Sequence, residues 1–532
     1  MAALCTAYAL CCAACKSADE QRASADRAVY AILEARRAEL GADTRTFTIE
    51  PPPDSLREQI LGGKQLGTLS LVAALDIAAE NSRDYQTQKE SLYLSALDLT
   101  LERFAFQVQK SGEFAALLNG DGDGADTASG AGNFGLTKLL GTGAQIVGDL
   151  GLSLARTLSS ADGWDAVSNV SLAVTQPLMR GFGARIVMEP LTQAERNVVY
   201  EVRSFERFRR TFAVDVANRY FRILQQRDAL NNEENNYDSL KALRVRNEEL
   251  AKAGRVSQID TDQALQDELR AKSSVITQTQ RLESLLDDFK FFLGLPIDVA
   301  MELDQHELEQ LSGDEAPLPD EKVCVEAALT HRLDYMNTLD TVDDRTRQVY
   351  VAADALRAGL DVGAAVHGTS KEGKPLAFDA SSFDWSVTAV LDLPIDRIRE
   401  RNDYRQSLIS LVASKRSGEQ QADTIRSDLR ANLREAEARH ETLQIQQNAV
   451  SLAERRVEST RLNLDAGRAT TRDSLDAQQS LVLAQNAATA ARLDYHLARL
   501  DLFRNIEALR VDERGLRIVT EDEAAPTPEP QP

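Results

Sequence analysis

The sequence predicts a mainly α-helical fold with membrane β-strands, in which very long coiled helices are joined to short strand segments. Three observations predict it. The stretches Ala184 to Ala251 and Ile395 to Ala466 run without an internal proline after Pro190. Helices of roughly 65 to 70 residues at about 1.5 Å per residue reach about 100 Å, longer than a globular domain needs. Short segments nearby alternate apolar and polar residues with a period of two, as strands do. Both kinds of segment occur twice along the chain, a duplication that must be read before any single motif.

Composition sets the outer limits. With 532 residues the chain could fill two or three ordinary domains. Aromatics are only 5%, with 2 Trp, while Ala, Leu, Arg, Asp, Glu and Gln dominate, the mixture of long helices meeting along narrow seams. The formal charge of −22 and pI near 4.8 repel phosphate backbones, so nucleic acid is not expected as a partner and cationic or neutral cargo is tolerated better. His306, His331, His367, His440 and His496 are scattered, and none pairs with a nucleophile or shows metal-ligand spacing. No enzyme, cofactor or metal is expected.

Residues 1–15 form the first element. Met1 to Ala14 is uncharged and apolar, and Cys12-Ala13-Ala14-Cys15 leads directly into polar Lys16-Ser17-Ala18-Asp19. This resembles a bacterial lipoprotein signal, in which Cys15 becomes the lipid-modified N-terminus; an ordinary cleaved signal is the other reading. Four of the five cysteines lie in this segment, leaving Cys324 alone, so no disulfide framework is available. Beyond residue 15 no stretch approaches the roughly 18 consecutive apolar residues of a spanning helix, so any membrane crossing falls to strands.

Residues 16–66, with Pro51-Pro52-Pro53, read as a tether and short helix. A first repeat is expected over 67–295, a connector over 296–322 and a second repeat over 323–510. The markers correspond: Leu71-Val72-Ala73-Ala74-Leu75 with Val325-Glu326-Ala327-Ala328-Leu329, Asp84-Tyr85 with Asp334-Tyr335, and Val174-Thr175-Gln176-Pro177-Leu178 with Leu391-Asp392-Leu393-Pro394-Ile395. Ala253-Gly254-Arg255 corresponds to Ala466-Gly467-Arg468. The spacings drift by about four residues, one helical turn, which lengthens a helix without rotating its apolar face. In the first repeat strands are expected near 104–110, where Phe104, Phe106 and Val108 alternate, and near 167–176, where Val170, Leu172 and Val174 do. In the second they are expected near 360–367 and 383–393. One apolar and one polar face suits a strand between lipid and a wet lumen, though a soluble antiparallel sheet has the same pattern.

The Gly, Asp and Ser-rich segment 111–166 reads as a surface insertion, although Ile146, Leu150, Leu152 and Leu154 make a third strand candidate. Helix-in, helix-out topology needs an even number of crossings, so one of the three first-repeat candidates should not span. Asn119 to Gly124 fits no calcium-loop spacing. Residues 511–532 read as a disordered acidic tail.

Leu250 to Asp260 (Leu-Ala-Lys-Ala-Gly-Arg-Val-Ser-Gln-Ile-Asp) and Leu464 to Asp476 (Leu-Asp-Ala-Gly-Arg-Ala-Thr-Thr-Arg-Asp-Ser-Leu-Asp) both carry an Ala-Gly, spacer, Asp signature. Over roughly residues 69 to 510 the chain resembles the TolC-like outer-membrane efflux proteins. The resemblance implies a homotrimer in which each chain gives four strands to a shared twelve-stranded barrel, continuing into a twelve-helix periplasmic tunnel. Four strands alone leave open edges in lipid, which three copies abolish. It implies a passive exit duct of an efflux or type I secretion system in the outer membrane, energised by an inner-membrane pump through a periplasmic adaptor protein. The Gly254 and Gly467 turns would form the periplasmic tip, since glycine takes the positive φ of a helix reversal. Asp473, Asp476 and Asp260 would repeat in a trimer as rings of carboxylates that select cations; the other reading is that they cap the returning helices. Ala469 stands where some members carry an arginine. Arg255 and Arg468 are candidates for adaptor contact or are solvated helix ends. Pro177 and Pro394 fit the strand-to-helix change of backbone. From another class, a filamentous coiled-coil envelope scaffold would share the helical composition, but not the alternating strands.

Overall fold

A computed structural model describes residues 17–39, 47–50, 54–120, 126–158, 163–311, 317–393, 395–512 and 515–518. Cys15 and Pro394 lie outside the described residues. In chain order the elements are α1 (Ala18–Glu39), α2 (Leu56–Leu61), β1 (Thr68–Leu69), α3 (Leu71–Asn81), α4 (Arg83–Ala105), β2 (Gln109–Asn119), β3 (Thr127–Leu139), β4 (Gln145–Thr157), β5 (Asp165–Pro177), α5 (Ala184–Val187), α6 (Glu189–Lys252) and α7 (Gln258–Phe292). They continue as β6 (Glu302–Leu303), α8 (His306–Gln310), α9 (Glu321–His331), α10 (Leu333–Ala355), β7 (Gly359–Thr369), β8 (Phe383–Asp392), α11 (Ile398–Asp465), α12 (Thr471–Asn505), β9 (Leu509–Asp512) and β10 (Gly515–Ile518).

The duplication is written in the element lengths. Helices α3 and α9 have 11 residues each, α4 and α10 have 23, and α7 and α12 have 35. Only the long helices differ, 64 residues in α6 against 68 in α11. That difference is one turn, which leaves the buried stripe facing the same way.

The chain divides into two compact units. One comprises 1–40, 92–202 and 337–419 and holds a six-stranded sheet in the order β2-β3-β4-β5-β7-β8, every neighbouring pair antiparallel. Its helices bury Leu92, Ala96 and Leu99 of α4 with Val29 and Leu33 of α1. The Tyr93 hydroxyl is 2.7 Å from an Asp26 carboxylate oxygen, and its ring meets Tyr30 edge-on at 5.9 Å.

The other unit comprises 41–91, 203–336 and 420–532. Its core gathers Phe212, Tyr220, Phe289, Leu293, Leu493 and Leu500. The Tyr85 ring packs on Phe205, Phe208 and Phe212 at 5.4 to 5.9 Å. The parallel pair β1 and β6 lies beside it, and the Tyr220 hydroxyl donates to the Leu69 carbonyl at 3.0 Å. Gly294, at φ 76°, lets the end of α7 press on the end of α3: a Cβ there would stand 2.0 Å from the Asn81 carbonyl oxygen.

Three expectations need correction. Phe104 belongs to α4, and the strand expected near 104–110 starts at Gln109 and runs to Asn119. The segment 111–166 is no surface insertion: it supplies most of β2, all of β3 and β4, and the start of β5, making six strands in the sheet where four were expected. Strand β3, Thr-Ala-Ser-Gly-Ala-Gly-Asn-Phe-Gly, is so rich in small residues that its alternation is invisible locally; ladder bonds to β2 and β4 order it. With β3 counted, the crossings between α4 and α6 are even, so no candidate has to be set aside. Residues 511, 512 and 515–518, expected within a disordered tail, instead belong to the antiparallel strands β9 and β10, in which Leu516 faces Val511.

Candidate functional site

The sheet presents two chemically distinct faces. Cross-strand partners share a face, and the register sets up rows that run unbroken across it. Gly112, Phe134, Leu150, Val170, Gly368 and Phe383 make one row, and Lys110, Leu136, Gly148, Leu172, Val366 and Trp385 the next. Ile146, Val174, Ala364 and Val387 extend the same side. These apolar side chains are left uncovered within the chain, Trp385 78% exposed and Leu172 54%. An exposed apolar surface of this breadth on a sheet is built to be covered by lipid or by another protein surface.

The opposite face is small and polar. Ser111, Gly135, Asp149, Ser171, His367 and Asp384 form one row across all six strands, and Glu113, Asn133, Gly151, Asn169 and Thr369 another. The charges segregate. Glu113, Asp149, Asp165, Asp361, Asp384 and Asp392 all project with the polar rows, whereas Lys110, Lys138 and Arg156 lie on the apolar side near strand ends. Long basic side chains at such ends reach the interface while their stems stay in apolar surroundings.

At the strand-to-helix junction the ladder runs past Pro177: Leu178 N–H donates to the Leu360 carbonyl at 2.7 Å and Arg180 N–H to Ala358 at 3.2 Å. The Arg180 guanidinium then meets Asp392 at 2.6 Å, and the Gly181 amide donates to the buried Asp354 carboxylate at 2.7 Å. Gly181 and Gly183 both have positive φ, so the backbone turns tightly into α5. The pairing roles of Arg180, Asp354 and Asp392 escaped the sequence reading, because their partners lie about 170 to 210 residues away.

The two helix reversals are copies of each other. Gly254 and Gly467 have φ of 71° and 70°. In the first, the Arg255 amide donates to Leu250 at 2.9 Å and the Gly254 amide to Ala251 at 2.9 Å; in the second, Arg468 donates to Asn463 at 2.8 Å and Gly467 to Leu464 at 3.1 Å. This is the Schellman closure, with glycine in the left-handed position. No atom lies within 4 Å of where a Cβ would sit on either glycine, so the requirement is purely conformational. Gly254→Ala and Gly467→Ala are each expected to cost about 1 kcal/mol, raising local opening of the turn about five-fold by amide hydrogen exchange; unchanged exchange would mean that the turns relax without cost.

The returning helices start with side-chain caps. Ser257 caps α7, accepting from the Asp260 amide at 3.2 Å while its hydroxyl donates to the Asp260 carboxylate at 2.7 Å. Thr470 and Asp473 form a reciprocal capping box on α12. The hydrogen bonds from the Thr470 amide and hydroxyl hold the Asp473 carboxyl below its ordinary range. Asp473 and Asp476 are exposed, Asp260 is half-buried, and Arg255 and Arg468 are exposed. Arg246 pairs with Asp465 at 2.8 Å and the Asn247 amide donates to Thr471 at 3.3 Å. The structure therefore brings both reversals to one place, with Asp473 closing a capping box and the Asp260 carboxylate holding the hydroxyl of the capping Ser257.

Among the described residues no three or more His, Cys, Asp or Glu side chains gather as for a metal ion, and no helix is long and apolar enough to cross a membrane.

Residues 325–506 match the family described as outer membrane efflux protein. No curated protein matches the chain significantly. The fold is similar to the outer membrane channel CmeC of Campylobacter jejuni, with TM-score 0.60 and 14% identity over 82% of this chain and 85% of that one. It is similar also to the MtrE outer membrane channel of Neisseria gonorrhoeae (0.59, 14%, 82% and 88%) and to the outer membrane protein VceC of Vibrio cholerae (0.57, 13%, 81% and 94%). The second repeat thus matches the family model, and the fold is TolC-like.

Proposed function

We propose that this chain is an outer membrane efflux protein that works as a passive exit duct. The observation that carries the proposal is the sheet, uncovered and apolar on one face, polar and acidic on the other, joined in sequence to helices of 64 and 68 residues. A sheet of that kind has unpaired edges at β2 and β8, and lipid cannot hydrogen-bond them. Closure by copies of the same chain satisfies the edges, puts the apolar face against lipid and the carboxylates around water. The resemblance to the TolC-like outer-membrane proteins supports a homotrimer. Long helices suit a conduit across the periplasm, and Cys15 suits an acyl anchor.

In this reading the duct itself does no chemistry and consumes no energy; an inner-membrane pump supplies it through a periplasmic adaptor. The reversals at Gly254 and Gly467 form the periplasmic tip, Arg255 and Arg468 present cations there to the adaptor, and the Asp260, Asp473 and Asp476 carboxylates repeat three-fold as a cation-selective gate. A capping carboxylate can still line a pore, because the cap uses only part of its lone-pair capacity. The hydrogen bonds that lower the Asp473 pKa keep it charged further into acid, so its cap and its field are intact at neutral pH and fade as pH falls through a value below the usual carboxylate of about 3.9.

The test is conductance of the purified full chain in planar bilayers. Cation-selective channels are expected, blocked by divalent cations, with the half-blocking concentration raised about ten-fold or more in Asp473→Asn and Asp476→Asn. Selective channels whose block ignores both substitutions would remove the gate but keep the duct. A soluble, elongated particle without channel activity would overturn the duct and favour the coiled-coil scaffold.

A further inference from the structure

The duplicated architecture is most unequal in its strands: the first repeat places four between its helices and the second two. We propose that all six strands of each chain enter the membrane wall, so that three copies close an eighteen-stranded barrel with an acid-lined lumen. The inference rests on the trimeric duct proposed above and adds the pore's size and lining.

Four observations support it. The apolar face does not stop at β4. On β2 it continues through Phe114, Ala116 and Leu118, paired with Gly132, Gly130 and Ala128 of β3, which pair in turn with Leu152, Leu154 and Arg156 of β4. Phe114 and Leu118 are 73% and 76% exposed. Were the β2–β3 hairpin a flap in water, this surface would lie uncovered beside the lipid-facing rows; within the wall it is their continuation.

The hairpins at the two sheet edges also share one construction. Phe114 lies over Gly132, where a Cβ would stand 2.8 Å from the ring, and Phe383 lies over Gly368 at 2.5 Å. An aromatic ring over a cross-strand glycine shields exposed backbone and pins register, and both rings lie on the apolar face. Whatever solvent the β7–β8 hairpin is built for, the β2–β3 hairpin is built for the same.

Length and charge placement agree. Strands β2 to β5, β7 and β8 have 10 to 13 residues, enough for a tilted strand to cross a bilayer at about 9 to 11 residues. On β2 and β3 the basic Lys110 and Lys138 sit near the ends of the apolar side, where snorkelling is possible, and Glu113 projects with the polar rows.

Parity allows closure. Six antiparallel strands begin in one direction at β2 and end in the other at β8, so β8 of one copy meets β2 of the next antiparallel and the ring closes head to tail. Barrel diameter grows roughly linearly with strand number, so eighteen strands give about 1.5 times the width of twelve, in the class that holds an open aqueous channel. The lining repeats Glu113, Asp149, Asp361 and Asp384 from each chain, with no Lys or Arg on the polar side of these strands. The mouth therefore favours cationic and neutral solutes bulkier than a twelve-stranded mouth passes.

Electron cryo-microscopy of the full chain, extracted from outer membranes and placed in lipid nanodiscs, counts the strands directly. Three-fold particles with eighteen strands crossing the lipid band, β2 beside β8 of the neighbour, are expected. Three-fold particles with twelve crossing strands, the β2–β3 hairpin outside the band, would overturn this inference and leave the duct standing. Particles without three-fold symmetry would overturn both.

Discussion

Asp344→Ala is expected to loosen the packing of α10 on α6 by about 3 kcal/mol, seen as roughly 100-fold faster hydrogen exchange of α10 amides. The Asp344 side chain is 6% exposed and lies between the Arg196 and Arg347 guanidinium groups at 2.6 and 3.0 Å. The Tyr200 hydroxyl donates to its other oxygen at 2.7 Å and the Gln193 amide at 3.0 Å. Removing one member of a buried ionic cluster leaves its partners charged and uncompensated, at a typical cost of 3 to 5 kcal/mol. The lower end applies because Arg196 keeps Asp340 at 3.2 Å and Arg347 keeps Glu189 at 3.0 Å. Asp344→Asn, which still accepts the phenol's hydrogen bond, should cost about half as much. Burial pushes the Tyr200 phenol up to about 12, so it donates throughout the physiological range. Exchange rates in α10 unchanged by Asp344→Ala would show that the cluster is incidental to the packing.

The second large effect concerns the two faces of the sheet. Leu150→Arg, near the middle of β4 in the row of Phe134 and Val170, is expected to destabilise the membrane-inserted form by about 2 to 4 kcal/mol, the cost of a cation at mid-depth on a lipid-facing strand. Ser153→Arg, three residues on and among the polar rows with Ala131 and Val167, should leave insertion nearly unchanged and shift selectivity toward anions. Urea titration of the protein refolded into vesicles, read by band-shift electrophoresis, separates them. Equal destabilisation by both would mean that the sheet does not divide lipid from water.

Much of the architecture was legible because it rests on local rules. The Gly254 and Gly467 turns were found from sequence, since a helix reversal demands a left-handed residue and glycine supplies it at least strain. The strands around Leu172, Leu150, Val366 and Trp385 showed themselves by alternation of large apolar and polar residues. Strand β3 did not, because Gly and Ala in its positions 130 to 132 and 135 give period-two patterning nothing to act on. Phe104 and Val108 misled for the opposite reason: their spacing of four suits a helix end as well as a strand, and the helix prevails through Ala105.

The sequence by itself determined the long helices, their duplication, the reversals and the sense of the charge, all properties set within a few turns of chain. Only the tertiary structure decided the number of strands and their register. It also decided that Arg180 meets Asp392 and that Asp344 anchors Arg196 and Arg347. Strand pairing and ion pairing are chosen between residues far apart in sequence. A glycine-rich segment becomes a strand only when a neighbour offers its backbone hydrogen bonds.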